Sequence, residues 1–215
     1  MPSIDSMTEL LVTEIRDLYD AEKRLTKAIP RMSKKASNRE LKTALNDHLK
    51  ETQQQVRRLE RAFRHLGETP RGKACAGMRG IVEEGDEHVG EEYGDPSLRD
   101  TMIIGSAQRV EHYEMAAYMG AISHARLLGL DQVKDLLEET LAEEKAADKK
   151  LMSIAESSVH REAPKREGDE EEGGLASNLA GMVKRTFRSN GAASRSNGRG
   201  RARKRTAAKR GAKKR

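Results

Sequence analysis

The chain contains no tryptophan, two phenylalanines and four tyrosines, so aromatics are 3% of its 215 residues. Its core must therefore be built from Leu, Ile, Val, Met and Ala, and five prolines are few enough to leave long helices intact. One cysteine, Cys75, excludes an internal disulfide and fits a reducing cytosol. No N-terminal apolar segment resembles a signal peptide, and no run approaches the roughly eighteen apolar residues of a membrane span. A cytoplasmic protein with no membrane partner is expected.

Charge is abundant, at 35% of residues, and its net value of +6 conceals a split. Residues 1–160 carry 24 Lys/Arg against 29 Asp/Glu, a net of −5, whereas residues 161–215 carry 17 against 6, a net of +11. An acidic domain over 1–160 precedes a tail over 161–215 that is first acidic and then strongly basic, and each requires its own account.

Four long helical segments follow from the apolar spacing. The first, roughly 7–34, opens with a capping-box pattern, Ser6-x-x-Glu9; the second, roughly 38–66, opens with Ser37-x-x-Glu40 and stops near Gly67. The third, roughly 98–128, follows "DPS" and ends at Gly129, and the fourth covers roughly 131–157. A few residues join the first segment to the second and the third to the fourth, which predicts two antiparallel hairpins. About thirty residues separate the hairpins, and their "CAGMRGIVEEGDEHV" predicts a short helix. The fold class expected is all-α: a ferritin-like antiparallel four-helix bundle with one long crossover between its second and third helices. A shift of 92 residues superposes Leu11 on Ile103, Glu22 on Glu114, Glu51 on Glu143 and Leu59 on Leu151, so the two hairpins share a pattern.

That pattern places carboxylates where apolar residues belong. Steps of three and four along the core stripes meet Glu22 in the first segment, His48 in the second, Glu114 in the third and Glu144 in the fourth. Glu51 lies at i+3 from His48, Glu111 at i−3 from Glu114, and Glu143 beside Glu144. A lone glutamate on a helix is usually solvated or ion-paired, and a lone core histidine is usually hydrogen-bonded. Here, however, the acids share phase and depth on all four segments. At about 1.5 Å per residue each lies roughly 20 Å from its helix start, near mid-height. Such a layer repels itself unless cations or protons compensate, and an oxygen-rich set with one imidazole suits iron or manganese better than structural zinc. The candidate metal ligands are Glu22, His48, Glu51, Glu111, Glu114, Glu143 and Glu144. His112 is directed about 100° away from Glu111 and is expected to be exposed. Cys75 lacks a partner at metal-binding spacing.

At these residues the chain resembles the YciE/YciF family of ferritin-like bacterial stress proteins. The stretches that carry the resemblance are "LYDAEKRLTKAI" (18–29), "HLKETQQQVRRLE" (48–60), "AQRVEHYEMAAYMGAI" (107–122) and "LLEETLAEEKAADKKL" (136–151), with "CAGMRGIVEEG" (75–85) in the crossover. The resemblance covers roughly residues 5–160. It implies a four-helix domain, a homodimer, a dinuclear iron or manganese cofactor and a link to stress responses. Centres of ferritin-like type commonly draw Glu from two helices and Glu-x-x-His from the other two. This chain departs from that pattern, with His48-x-x-Glu51, Glu111-x-x-Glu114 and no histidine one turn beyond Glu143 or Glu144. Peroxidase- or ferroxidase-like oxidoreductase chemistry and iron handling are the activities compatible with such a set.

The tail supports a second function. From Lys184 it carries fourteen cations and no acid: Lys184, Arg185, Arg188, Arg195, Arg199, Arg201, Arg203, Lys204, Arg205, Lys209, Arg210, Lys213, Lys214 and Arg215. A segment of this composition is expected to be disordered and to bind DNA or RNA phosphates without sequence preference. With no aromatic after Phe187, base stacking is not expected. The acidic run "EGDEEEGG" (167–174) could moderate the tail, and "LASNLAGMVKRTF" (175–187) could form a short amphipathic helix. A nucleoid-associated protein, with the bundle as dimerising scaffold, is therefore the alternative expectation.

Overall fold

The computed structural model describes residues 4–164. The tail, with its expected disorder, its short helix and its fourteen cations, lies outside the described residues. Within them the chain is helical: α1 (Met7–Lys35), α2 (Arg39–His65), α3 (Ala76–Gly90), α4 (Pro96–Leu127) and α5 (Asp131–Ile154). A π-helical turn over Ala155–Val159 and a last turn, α6 (His160–Glu162), extend α5. The four expected long helices are α1, α2, α4 and α5, and the expected crossover helix is α3.

Local chemistry sets the helix ends. Ser6 caps α1 by accepting from the Glu9 amide at 3.2 Å, while the Glu9 carboxylate accepts from the Asp5 amide at 2.7 Å. The expected Ser37 box does not form. Asn38 is the N-cap of α2, its side-chain oxygen accepting from the Glu40 and Leu41 amides. Ser37 is displaced from that role because its own amide, with that of Asn38, donates to the buried Asp100 carboxylate at 2.7 and 2.6 Å. Asp95 caps α4 ahead of Pro96 at the first helical position. Helices α2 and α4 end alike. Gly67 and Gly129 adopt φ of +69°. The next amides, of Glu68 and Leu130, return to the carbonyls of Phe63 and Ala125 at 2.9 Å, which is the Schellman arrangement.

Cross-links fix the relative directions of the long helices. Arg16 near the start of α1 bonds Glu68 just beyond α2, and Glu14 meets His124 near the end of α4. Asn38 reaches Ser158 beyond the end of α5. Each long helix therefore runs against its two packed neighbours: α1 lies against α2 and α4, and α5 lies against α2 and α4. The crossover is tied to α1 and α4. The Cys75 amide donates to Asp20 at 2.9 Å, Arg31 makes a bidentate pair with Asp86, and Cys75 Sγ lies 3.0 Å from the Tyr113 hydroxyl. Cys75 is wholly buried. Gly77 is required here, because a Cβ at that position would lie 2.6 Å from the Tyr113 ring.

The apolar core is divided in two. One cluster holds Leu25, Ile29, Leu41, Leu45, Ile103 and Leu151; the other holds Leu11, Leu18, Leu59, Phe63, Tyr118 and Leu137. On every long helix the switch from one cluster to the other falls at the candidate ligands.

The buried Asp100 carboxylate ties α4 to the turn between α1 and α2, so its loss strands two amides at a half-buried helix junction. Asp100→Ala is expected to lower unfolding free energy by about 2–3 kcal/mol, read as a reduced urea midpoint at unchanged slope.

Candidate metal centre

Between the two apolar clusters, each long helix contributes polar side chains. Glu22, Glu114 and Glu144 are fully buried, Glu111 is 2% exposed and His48 is 8% exposed. One ligand atom from each of His48, Glu111, Glu114 and Glu144 falls within 4.8 Å of the others. His48 Nε2 lies 3.3 Å from Glu111 and 3.9 Å from Glu144. Glu22 Oε1 accepts from the buried Tyr118 hydroxyl at 2.5 Å.

Most of these donor atoms have no partner. Glu22 Oε2, both ring nitrogens of His48, Glu111 Oε2, both oxygens of Glu114 and Glu144 Oε2 are buried without a hydrogen bond. An unpartnered buried polar group costs about 1–3 kcal/mol, and more when charged, so such a concentration demands compensation. Burial raises the Glu22, Glu114 and Glu144 carboxyls well above the usual range, and neighbouring carboxylate charge adds to the shift. For Glu111 burial dominates and, although a hydrogen bond to Glu144 opposes it, the carboxyl is pushed to about 8. Burial would lower the His48 imidazole, but Glu51, Glu144 and Glu22 outweigh it and leave it raised. The donors are hard oxygens with one imidazole, so the residues present fit a metal cation.

Three expected ligands lie outside the group of His48, Glu111, Glu114 and Glu144: Glu22, which is buried with Oε1 on Tyr118, and Glu143 and Glu51. Glu143 does not join the cluster: both its oxygens pair with the Arg58 guanidinium at 2.8 Å, and Arg58 also reaches Glu139 and Thr140. The Glu51 side chain is 46% exposed, with Oε2 3.5 Å from His48 Nδ1, at the edge of the centre. His112 faces outward as expected, 65% exposed and 3.3 Å from Asp148. Sequence reasoning missed three supporting residues, Tyr118, Gln55 and Arg58. The Gln55 amide donates to Glu144 at 2.5 Å and to Glu143 at 3.0 Å, and so links the centre to the Arg58 network. Tyr118 is at i+4 from Glu114 and Gln55 at i+7 from His48, which are spacings that could have flagged both.

The fold and site together define an all-helical protein with a buried glutamate–histidine cluster able to hold a metal ion. Residues 6–164 match the family described as Domain of unknown function (DUF892). Protein YciF of Escherichia coli is 34% identical over 162 residues, covering 75% of this chain and 97% of YciF. The crystal structure of that stress protein superposes with a TM-score of 0.70 over 74% of this chain and 100% of YciF. YcfI from Rhodopseudomonas palustris, 43% identical, superposes with a TM-score of 0.69 over 71% of this chain and 96% of its own. A Xanthomonas campestris protein at 21% identity and TM-score 0.55 shares the fold, over 85% of this chain and 99% of its own. The chain belongs to the YciE/YciF family.

A carboxyl whose pKa is higher folded than unfolded stabilises the fold below its unfolded value, and that contribution is lost as pH rises through the folded value. The metal-free chain should therefore lose thermal stability between pH 4.5 and about 8. Melting across that range is expected to give a falling Tm, with a shallower fall in Glu111→Gln.

Proposed function

We propose that the four long helices form a ferritin-like antiparallel bundle whose central carboxylates hold a dinuclear iron or manganese cofactor. The proposed role is a stress-response function that consumes peroxide or dioxygen or handles iron. The observation that carries this reading is the convergence of unpartnered buried oxygens from Glu111, Glu114 and Glu144 on the buried imidazole of His48, with an unpartnered oxygen of the fully buried Glu22 beside them between the apolar clusters. Each proton would neutralise one carboxylate and give it a single O–H donor for a neighbour, whereas a cation would use lone pairs from several of these groups at once. The relative's designation as a stress protein supports the biological setting.

Glu22, His48, Glu111, Glu114 and Glu144 would hold the metals, which when bound supply reversible one-electron redox steps. The protein's own residues perform the remaining tasks. Tyr118 orients Glu22 through its hydroxyl, and Gln55 orients Glu144. Arg58 holds Glu143 away from the centre and keeps that charge neutralised. The two apolar clusters exclude bulk water above and below, which strengthens every electrostatic interaction between them.

Two further readings belong here. The cations from Lys184 to Arg215 would bind nucleic acid, making the protein nucleoid-associated within the cytoplasm. A homodimer would bury the exposed Met119 and Leu127 of α4, 51% and 70% exposed in the single chain. Among the described residues no helix is long and apolar enough to cross a membrane.

Elemental analysis of the full chain from cells supplied with iron and manganese should give about two equivalents per chain, and Glu114→Ala should lose most of them. Less than about half an equivalent, with no loss on Glu114→Ala, would remove the metal reading. For the tail, a gel-shift salt series should show full-length chain retarding DNA steeply less as salt rises. A chain truncated after Pro164 should not retard it, and equal retardation by both excludes the tail.

A further inference from the structure

A cavity of about 230 Å³ lies between α2 and α5 and leads from the surface to the centre. Its walls are Ala44, Leu45, Ala146, Ala147 and Leu151. Three of these wall residues are alanines, whose methyl groups leave the gap unfilled. At its inner end are His48 and Glu111, both at least nine-tenths buried and both with unpartnered polar atoms. Asp47, Glu51 and Lys150 form a charged rim.

This combination selects a ligand. Water and hydrogen peroxide can bond to the charged side chains of the rim and inner end, but both are too small to cover the apolar wall between Ala44 and Leu151. Dioxygen needs no hydrogen-bonding end and far less room. An apolar cavity of about 150 Å³ already accepts benzene, so this one has space for a hydrocarbon body of that size plus a short polar group. Its only inner polar groups are an imidazole and a carboxyl that can exchange hydrogen bonds with one O–H group. We propose that the cavity is a substrate site for a small organic hydroperoxide, with the hydrocarbon body against Ala44, Ala147 and Leu151 and the O–O–H end at His48 and Glu111. The assignment of this ligand as substrate rests on the metal-centre reading, whereas its seating in the cavity does not.

The seating is tested by fluorine NMR of the full-length chain titrated with a fluorinated benzyl alcohol, an unreactive probe of the same shape class. Saturable binding, displaced by tert-butyl hydroperoxide, is expected. Ala147→Phe and Ala44→Phe, each filling the cavity from a different helix, should each weaken binding about tenfold or more while retaining helical content and metal stoichiometry. Circular dichroism and elemental analysis of the same samples verify both. Two cavity-filling variants are used so that misfolding of one leaves the other decisive. Absence of saturation, binding unchanged in folded variants, or uptake of xenon without the alcohol would each overturn the proposal. Metal loading without alcohol binding removes the cavity assignment alone. Alcohol binding without metal leaves a ligand site and removes its role as substrate site.

Discussion

The structure depends on carboxylates buried in the middle of its core. Glu22, Glu111, Glu114 and Glu144 interrupt what would otherwise be one continuous apolar interior and divide it into two clusters. Burying one ionised carboxylate costs several kcal/mol after relaxation, and the cost multiplies when like charges share a site. The surrounding residues make sense against that cost. Tyr118 and Gln55 donate to the acids, Arg58 neutralises the neighbouring Glu143, and His48 brings an imidazole within 3.3 Å of Glu111. Apolar clusters on both sides supply the stability that lets a strained layer persist, and the long helices give it rigid walls.

The centre is lopsided with respect to the buried pattern that the two hairpins share. Under the 92-residue shift Glu22 and Glu114 correspond, and both are fully buried. The other positions diverge. Glu144 corresponds to Thr52, Glu111 to Tyr19 and His48 to Thr140, all buried in one hairpin as in the other. The second hairpin thus contributes three carboxylates and the first contributes one, together with the imidazole. The only imidazole in the cluster, His48, is therefore on one side of it. The cavity opens on that same side, at His48 and Glu111.

Much of this arrangement was legible in the sequence because helical phase is a strong constraint. Steps of three and four reached Glu22, His48, Glu114 and Glu144, and counting residues from each helix start put them at one height. Adjacent residues differ by about 100° around a helix, which separates Glu143 from Glu144, whereas Glu51, at i+3 from His48, stays near the stripe and yet reaches the surface. What turns Glu143 away is Arg58, a contact between α2 and α5 that no single helix encodes. Tyr118 escaped notice because α4 mixes apolar and polar residues around its circumference, so its phase past Glu114 is ambiguous. The Ser37 cap failed for a similar reason: the deciding partner, Asp100, is 63 residues away.

The central claim is that these acids are compensated by metal rather than by protons, and diffraction tests it directly. Crystals of the full-length chain grown with ferrous or manganous salt should show anomalous density bounded by Glu22, His48, Glu111, Glu114 and Glu144, with Glu143 still on Arg58. Absence of anomalous density there, with the carboxyls instead hydrogen-bonded to one another as protonated acids, would contradict the account.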